Sequence, residues 1–368
     1  MIWRRHGRGQ SRPGIQLLRA VVPFTQATVN HASMFHRGER YMDIEYLLLL
    51  QNWRNATNNM LTPFMEWISL FAVTYLILIP IFVYWCLDKK KGLYVLASYG
   101  MGIALNAVVK LTACIYRPWI RDARVLPAGD AITTATGYSF PSGHSSTASL
   151  IYGGLAVVSW NPKKTRIFAV IAIICMLITG FSRNYLGVHT PQDVCVGLTL
   201  GWISLFIMYK IFGYLAEHPE KEDLFLLAGF IIGWIGILYI TFKSYPLTYK
   251  DDGSLLVDPQ KMMNDGYGDI GCLIGFCPAR YIEKRWVRFK EAGLNGKGIA
   301  VSVVGMVPLY FMIKFLKKAL DAALGSHFGH LTYSLIMIFY VITLFPAIIK
   351  AVCGTKEDDQ EVPRNKAA

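Results

Sequence analysis

Long apolar segments recur along almost the whole chain, and they constrain the fold more than any other feature. A helix crosses a bilayer with about 17–25 mainly apolar residues. We identify such runs at residues 64–87, 92–109, 144–160, 166–181, 191–212, 224–242, 267–283, 298–316 and 331–352, the seventh being short and rich in glycine. Backbone polar groups within lipid must be satisfied internally, so these runs predict helices rather than open strands. The expected fold class is all-α, a polytopic membrane helix bundle.

The charge composition agrees with a membrane protein. Only 17% of the residues are charged, whereas soluble domains carry about 25%. The formal net charge of +13 would suit a nucleic-acid partner, but seven arginines lie in residues 1–41 against the single acid Glu39. Most other basic residues flank apolar runs, where they set topology. The expected partner is therefore the lipid bilayer, and no nucleic acid.

The basic start, residues 1–41, does not resemble a targeting signal, because it lacks an apolar core and a small-residue cleavage site. One hypothesis is that translation starts at Met34 or Met42. Residue 42 opens "MDIEYLLLLQNWRN", a sequence typical of an interfacial helix.

Basic connections predict the orientation of the bundle. Alternate crossings place residues 88–92, 161–166 and 279–297 on one face, which the positive-inside rule makes cytoplasmic. Residues 110–143, 182–190 and 244–266 then lie on the extracytoplasmic face. The basic start and the lysines near residue 317 disagree with this orientation.

Three shorter segments on or next to this face, two at residues 110–144 and one at 182–193, carry ionisable or turn-forming residues at the ends of apolar runs. The first has Lys110, Arg117 and Pro118, the second has Pro141, Ser142, Gly143 and His144, and the third has Ser182, Arg183, His189 and Asp193. Each segment alone has a structural explanation. The two cationic side chains of the first could extend to the interface, Pro-Ser-Gly is common in turns, and Thr190 with Asp193 could form a capping box.

Together the segments suit the binding and cleavage of a phosphate ester. Lys110, Arg117 and Arg183 supply positive charge, and arginine offers paired donors to phosphate oxygens. Ser142 and Gly143 precede a predicted helix start, where backbone N–H groups bind anions. His189 and Asp193 lie one helical turn apart, so the carboxylate can orient the imidazole for attack. A second histidine, His144, is available as a proton donor.

These segments resemble the signature of the type 2 phosphatidic acid phosphatase (PAP2) superfamily. Its pattern is Lys-x6-Arg-Pro, then Pro-Ser-Gly-His, then Ser-Arg-x5-His-x3-Asp, and the chain matches it in residue type, order and spacing. The resemblance covers about residues 64–212. It implies a six-helix core, followed here by about three further helices.

The resemblance also implies a role for each matching residue. His189 would be the nucleophile that forms a phosphohistidine, Asp193 would orient it, and His144 would protonate the leaving oxygen and then activate water. The phosphoryl oxygens would be held by Lys110, Arg117, Ser142, Gly143 and Arg183. No metal and no other cofactor are expected, because cationic side chains and amides supply the electrostatic stabilisation.

The expected substrate is a phosphorylated lipid. The family also includes glucose-6-phosphatase-like enzymes and soluble vanadium haloperoxidases, but motifs at the helix ends of a multi-pass chain favour a substrate that arrives from the bilayer. Hydrolysis is expected at the outer face of the plasma membrane. Phosphatidic acid, phosphatidylglycerophosphate, undecaprenyl diphosphate and sphingoid phosphates all remain open. So do two other functions, a non-enzymatic lipid-binding or transport protein and a head-group phosphotransferase.

The sequence predicts three regions: a basic tail over 1–41, a phosphatase core over 42–243 with an interfacial helix and six spans, and a membrane extension over 244–368 with a cytoplasmic tail. The loop 244–266 is a candidate for head-group selection. His327 and His330 have a spacing found in metal sites, but no third ligand accompanies them, and we interpret them as part of a solvated loop.

Overall fold

The computed structural model describes residues 39–354, apart from positions 136, 162 and 251. The chain divides into two compact units, Met1–Met42 and Asp43–Ala368. The description below concerns the second unit. The hypothesis of a later start at Met34 lies outside the described residues.

A helix occupies each run that the sequence predicts, and the first run is interrupted by a turn at residues 75–77. They are α1 Glu39–Ala56, α2 Thr62–Thr74, α3 Leu78–Leu87, α4 Lys89–Ala113, α5 143–159, α6 Arg166–Tyr185, α7 Pro191–Glu217, α8 Glu222–Phe242, α9 Pro259–Ile282, α10 Gly296–Leu324 and α11 Ser326–Cys353. Within the described part of the chain, the extended pairing is a single isolated bridge between Tyr249 and Leu255. The all-α prediction is confirmed.

Six of the described helices are long and apolar enough to cross a membrane, namely α6, α7, α8, α10, α11 and a span that continues α4 to Arg121. Helices α2 and α3 meet at 43° and can count as a seventh span. The protein is therefore a multi-pass membrane protein.

Two predicted runs, 144–160 and 267–283, form helices that fall outside this set. Helix α5 has only 17 residues and contains a π-helical turn at Ser149–Gly153. Helix α9 begins at Pro259, eight residues before the predicted run, because Asp258 caps its N-terminus. The predicted loop 244–266 therefore ends at residue 258. The polar residues Gln260, Lys261, Asn264 and Asp265 explain why the apolar pattern does not include the first two turns of α9.

Helix α9 ties the C-terminal part of the chain to the preceding helices. It packs against α4, α8 and α11. Its Ile270 lies in one buried cluster with Leu111 of α4, Ile240 of α8 and Leu331 of α11. The helices before and after residue 243 thus share one cluster of buried apolar side chains. The division into a phosphatase core over 42–243 and a membrane extension over 244–368 stays a prediction.

Local signals in the sequence place the helix ends that carry the motifs. Helix α4 stops at Ala113 because Cys114 adopts a left-handed φ of 50°. Helix α7 begins at Pro191, behind the capping box of Thr190 and Asp193. Helix α7 lies close to the start of α5, since a Cβ on Gly197 would be 2.6 Å from the carbonyl oxygen of Ser142. Small residues allow such close contact between membrane helices.

An ion network joins two of the predicted cytoplasmic connections. The Nζ atom of Lys89 lies 2.6 Å from the Oε1 atom of Glu283, whose side chain is fully buried. Arg280 also contacts Glu283 and pairs with Glu222 at 2.8 Å. Helix α4 starts at this network, and its 25 residues rise about 37 Å at 1.5 Å per residue. The motif at the other end of α4 therefore lies far from this network.

We expect the buried carboxylate of Glu283 to be required for stability. Replacing it, in Glu283→Ala, leaves Lys89 without its ion-pair partner and should lower the free energy of unfolding by about 3–5 kcal/mol. The midpoint of thermal unfolding in detergent measures this change. The exposed Glu220 provides a control, and Glu220→Ala should change stability by no more than about 0.5 kcal/mol. Similar midpoints for the two variants would contradict the assignment.

Candidate active site

His189 lies in the short turn between α6 and α7 and is only 2% exposed. Its backbone N–H donates to the carbonyl oxygen of Arg183 at 3.3 Å. Its own carbonyl oxygen accepts from the Nδ2 atom of Asn184 at 2.9 Å. The end of α6 therefore holds the backbone of His189 from both sides, which positions its side chain.

The carboxylate of Asp193 serves the helix cap and the imidazole at once. Its Oδ2 atom accepts from the backbone N–H of Thr190 at 2.8 Å and lies 3.4 Å from the Nδ1 atom of His189. The capping box and the orienting carboxylate, which the sequence left as alternatives, are one arrangement. The cap fixes the carboxylate at the position where it faces the ring.

Ser139 is a neighbour of this pair that the sequence analysis missed. Its hydroxyl donates to the Oδ2 atom of Asp193 at 2.6 Å, and its oxygen lies 3.3 Å from the Nδ1 atom of His189. A lone serine in a turn carries no sequence signal of its own. Its position three residues before Ser142, in "YSFPSGH", is the one feature that could have indicated it.

The contact with Arg117 identifies the tautomer of His189. The Nη1 atom of Arg117 lies 2.7 Å from the Nε2 atom of His189. A guanidinium only donates hydrogen bonds, so Nε2 is the acceptor and the ring proton is on Nδ1, toward Asp193 and Ser139. The ring nitrogen with a free electron pair therefore faces the cationic side chain.

The surroundings keep the His189 imidazole neutral. Burial lowers its pKa well below the usual 6.5, and the positive charges of Arg117, Arg183 and Lys110 lower it further. A neutral imidazole retains the electron pair that a nucleophile needs.

The two other predicted cations lie nearby in different settings. Lys110 donates from Nζ to the carbonyl oxygen of Pro141 at 2.5 Å. Arg183 is 1% exposed and donates from Nη1 to the Oγ atom of Ser69 at 2.5 Å. Its Nε and Nη2 atoms are buried without a hydrogen-bond partner among the described residues. An anion would satisfy such donors.

The start of α5 brings the second motif to the same place. The backbone N–H of Ser142 donates to the carbonyl oxygen of Asp193 at 2.9 Å, and its hydroxyl caps α5 by accepting from the N–H of Ser145. A Cβ on Gly143 would meet open space. The buried Nε2 atom of His144 has no hydrogen-bond partner in the described part of the chain. It is therefore available to a bound group.

A cavity of about 530 Å³ joins these groups. Five of the predicted site residues line it, namely Lys110, Arg117, Gly143, His144 and His189. The other three lie behind that lining. Ser142 caps the start of α5, Arg183 holds the backbone of the turn that contains His189, and Asp193 contacts the imidazole. The structure thus brings the three segments together, with five residues at the surface of the cavity and three supporting them.

The prediction that His327 and His330 lie in a solvated loop is wrong. Both belong to α11. The ring of His327 packs edge-on against Tyr267 at 5.0 Å. His330 is 8% exposed, and its Nε2 atom lies 3.3 Å from the Oδ2 atom of Asp321. The two histidines made this part of the sequence look polar, although both contact other side chains within the helix bundle.

Comparison with known proteins finds sequence similarity to lipid phosphatases. The PAP2 superfamily model matches residues 91–217. Phosphatidylglycerophosphatase B of Bacillus subtilis is 28% identical over 187 residues, which cover 50% of this chain and 87% of that protein. Undecaprenyl-diphosphatase of Sulfolobus acidocaldarius is 33% identical over 117 residues, covering 32% of this chain and 53% of that protein. Lipid A 1-phosphatase of Rhizobium etli is 38% identical over 80 residues, 21% and 32% of the two chains.

No solved structure matches the chain. The chain spans most of the first of these relatives and about half of the second. The family match ends at residue 217, so α8–α11 lie beyond it.

The cationic cavity should bind inorganic phosphate. A ligand that binds only the folded state at about ten times its Kd stabilises it by about 1.4 kcal/mol. We expect phosphate to raise the thermal midpoint of the wild-type protein and to lose this effect in Arg117→Ala. Arg124→Ala is the control, since Arg124 is 56% exposed and pairs with Asp122. A phosphate effect that persists in Arg117→Ala would contradict the site.

Proposed function

Because residues 91–217 match the PAP2 superfamily model, we propose that the chain is a metal-independent lipid phosphatase of this family that acts through a phosphohistidine at His189. The observation that carries this proposal is the unprotonated Nε2 atom of His189, which faces Arg117 at 2.7 Å. Asp193 and Ser139 hold the opposite side of the same ring.

The first step transfers the phosphoryl group to the enzyme. The Nε2 atom of His189 attacks phosphorus, and the bond between phosphorus and the ester oxygen breaks. His144, in its protonated form, gives its proton to the departing oxygen, so that the lipid leaves as an alcohol or, from a diphosphate, as a monophosphate. The Nδ1 proton stays directed at Asp193, which stabilises the positive charge that develops on the ring.

The second step returns the enzyme to its starting state. His144, now neutral, takes a proton from a water molecule that attacks phosphorus. The bond between phosphorus and Nε2 breaks, inorganic phosphate leaves, and both histidines regain their initial protonation.

Fixed positive charge stabilises the phosphoryl oxygens in both steps. Arg117 and Lys110 line the cavity, and Arg183 lies behind it with two nitrogen donors, Nε and Nη2, that have no hydrogen-bond partner in the described part of the chain. Groups already held in place when charge develops contribute much of the catalysis of phosphoryl transfer. In the substrate complex Arg117 would turn from the imidazole to the phosphoryl oxygens.

The substrate class follows from the relatives and the fold. The named relatives act on phosphatidylglycerophosphate, an undecaprenyl diphosphate and lipid A 1-phosphate, which share a terminal phosphoryl group on a membrane lipid. The site lies at the end of α4 away from the basic Lys89 network. The positive-inside rule supports an extracytoplasmic site, and we propose that the enzyme acts at the outer face of the plasma membrane.

Phosphate release from a panel of lipid phosphates tests the proposal, with purified protein in detergent and a chelator present. We expect hydrolysis by the wild-type protein, and a loss of at least about a thousandfold in kcat in His189→Ala, because the nucleophile is gone. His218→Ala is the matched control and should keep full activity, since His218 stacks on Tyr214 beyond the end of α7. Unchanged turnover in His189→Ala would refute the nucleophile assignment. Binding without any hydrolysis would favour a lipid-binding protein.

A further inference from the structure

The cavity of the catalytic residues has a second polar wall, formed by side chains outside the motifs. This wall comes from the C-terminal helices, beyond the residues that match the family. Its polar members are Asp265 and Asp269 on α9, Lys317 on α10, and His330, Tyr333 and Ser334 on α11. None of them belongs to the three sequence motifs.

The two carboxylates lie on the face of α9 that is turned to the cavity. Met262, Asp265, Gly266, Asp269 and Cys272 all line the cavity at helical spacing. Two acids four residues apart repel each other on a helix. Ionisable groups within a membrane bundle are costly and usually mark function. Apolar contacts with α4, α8 and α11 cover other parts of α9. Packing therefore gives no reason for this acidic pair.

Ion pairing inside the protein does not account for the pair either. The Oδ1 atom of Asp265 is 4.0 Å from the Nδ1 atom of His330, which makes a shorter contact with Asp321. Asp265 remains 57% exposed. Among the described residues, Asp269 interacts with Lys110 and Lys317 only through longer-range charge attraction. Both carboxylates can therefore accept hydrogen bonds from a ligand.

The cavity has room for more than a phosphoryl group. Its volume of about 530 Å³ falls within the range of about 300–1,000 Å³ that is typical of ligand pockets. Apolar side chains line the rest of it, among them Ile77, Ile103, Leu309, Ile313, Met337 and Ile338. One cavity thus has cationic, acidic and apolar side chains in its lining, a combination that suits an amphipathic ligand.

We propose that Asp265 and Asp269 form a head-group subsite that accepts hydrogen bonds from hydroxyl or ammonium groups of the lipid near the scissile ester. This inference rests on the proposed phosphatase function. Carboxylates accept hydrogen bonds and repel phosphate, so the acidic wall cannot be a second phosphate site. Lipid phosphates with such donors gain contacts there, whereas phosphates and diphosphates without them gain none. The subsite therefore makes the enzyme selective for hydroxylated or amine-bearing lipid phosphates.

The ratio of kcat/KM for two substrates tests the subsite. Phosphatidylglycerophosphate has a free hydroxyl next to the phosphate, and phosphatidic acid with the same acyl chains has none. A sphingoid phosphate, as a third substrate, tests recognition of an ammonium group. We expect the wild-type protein to prefer the donor-bearing substrates, and the double variant Asp265→Asn/Asp269→Asn to lower that preference about tenfold, because hydrogen bonds to charged acceptors are lost.

Two controls keep the test decisive. Asp252→Asn changes an exposed acid of the loop before α9 and should leave the preference unchanged. A phosphate-dependent rise in thermal midpoint shows that the double variant is folded. A wild-type protein without the preference, or a double variant whose preference stays within about twofold of wild type, would overturn the subsite. A wild-type protein that hydrolyses no lipid phosphate would instead refute the phosphatase function, and the subsite with it.

Discussion

The site depends on one buried carboxylate, that of Asp193. Its Oδ2 atom accepts hydrogen bonds from the backbone of Thr190 and the hydroxyl of Ser139, and it faces the Nδ1 atom of His189. The contact with Thr190 starts α7, and the contact with the ring leaves Nε2 free toward Arg117. Helix initiation and orientation of the nucleophile are thus one interaction. A buried carboxylate is costly unless it is paired and hydrogen-bonded, which these three contacts achieve.

Much of this site could be predicted because its residues lie at the ends of helices. A helix end is marked locally, by Pro118, by Ser142 before Gly143 and by Thr190 before Pro191, and the charged residues have fixed spacings from these marks. Spacing did not show which residues face the cavity. Arg183 and Ser142 belong to the motifs but lie behind its surface, and Ser139 became visible only when the turn was folded against His189.

The C-terminal helices show where sequence patterns stop being informative. The apolar pattern underestimates the length of α9, because polar residues including Asp265 fill its first two turns, and it places His330 in solvent. Both errors have one physical cause, which is that these polar groups face a cavity or a partner inside the bundle. The hydropathy of a sequence cannot distinguish a helix face that lines an internal cavity from one that is exposed to solvent. The same helices provide the acidic wall of the cavity that holds the catalytic residues, so the part of the chain outside the family match contributes to that cavity.

The central claim is that three distant segments of the chain converge to make His189 a nucleophile. Its most direct test mixes the purified protein with a lipid phosphate that carries ³²P in the terminal phosphoryl group and quenches the reaction rapidly. The protein is then digested with a protease at alkaline pH, and the labelled peptides are identified by mass spectrometry. We expect the label on the imidazole of His189, and no labelled peptide from His189→Ala. Label on any other residue, or a single turnover of phosphate release without labelled protein, would contradict the mechanism.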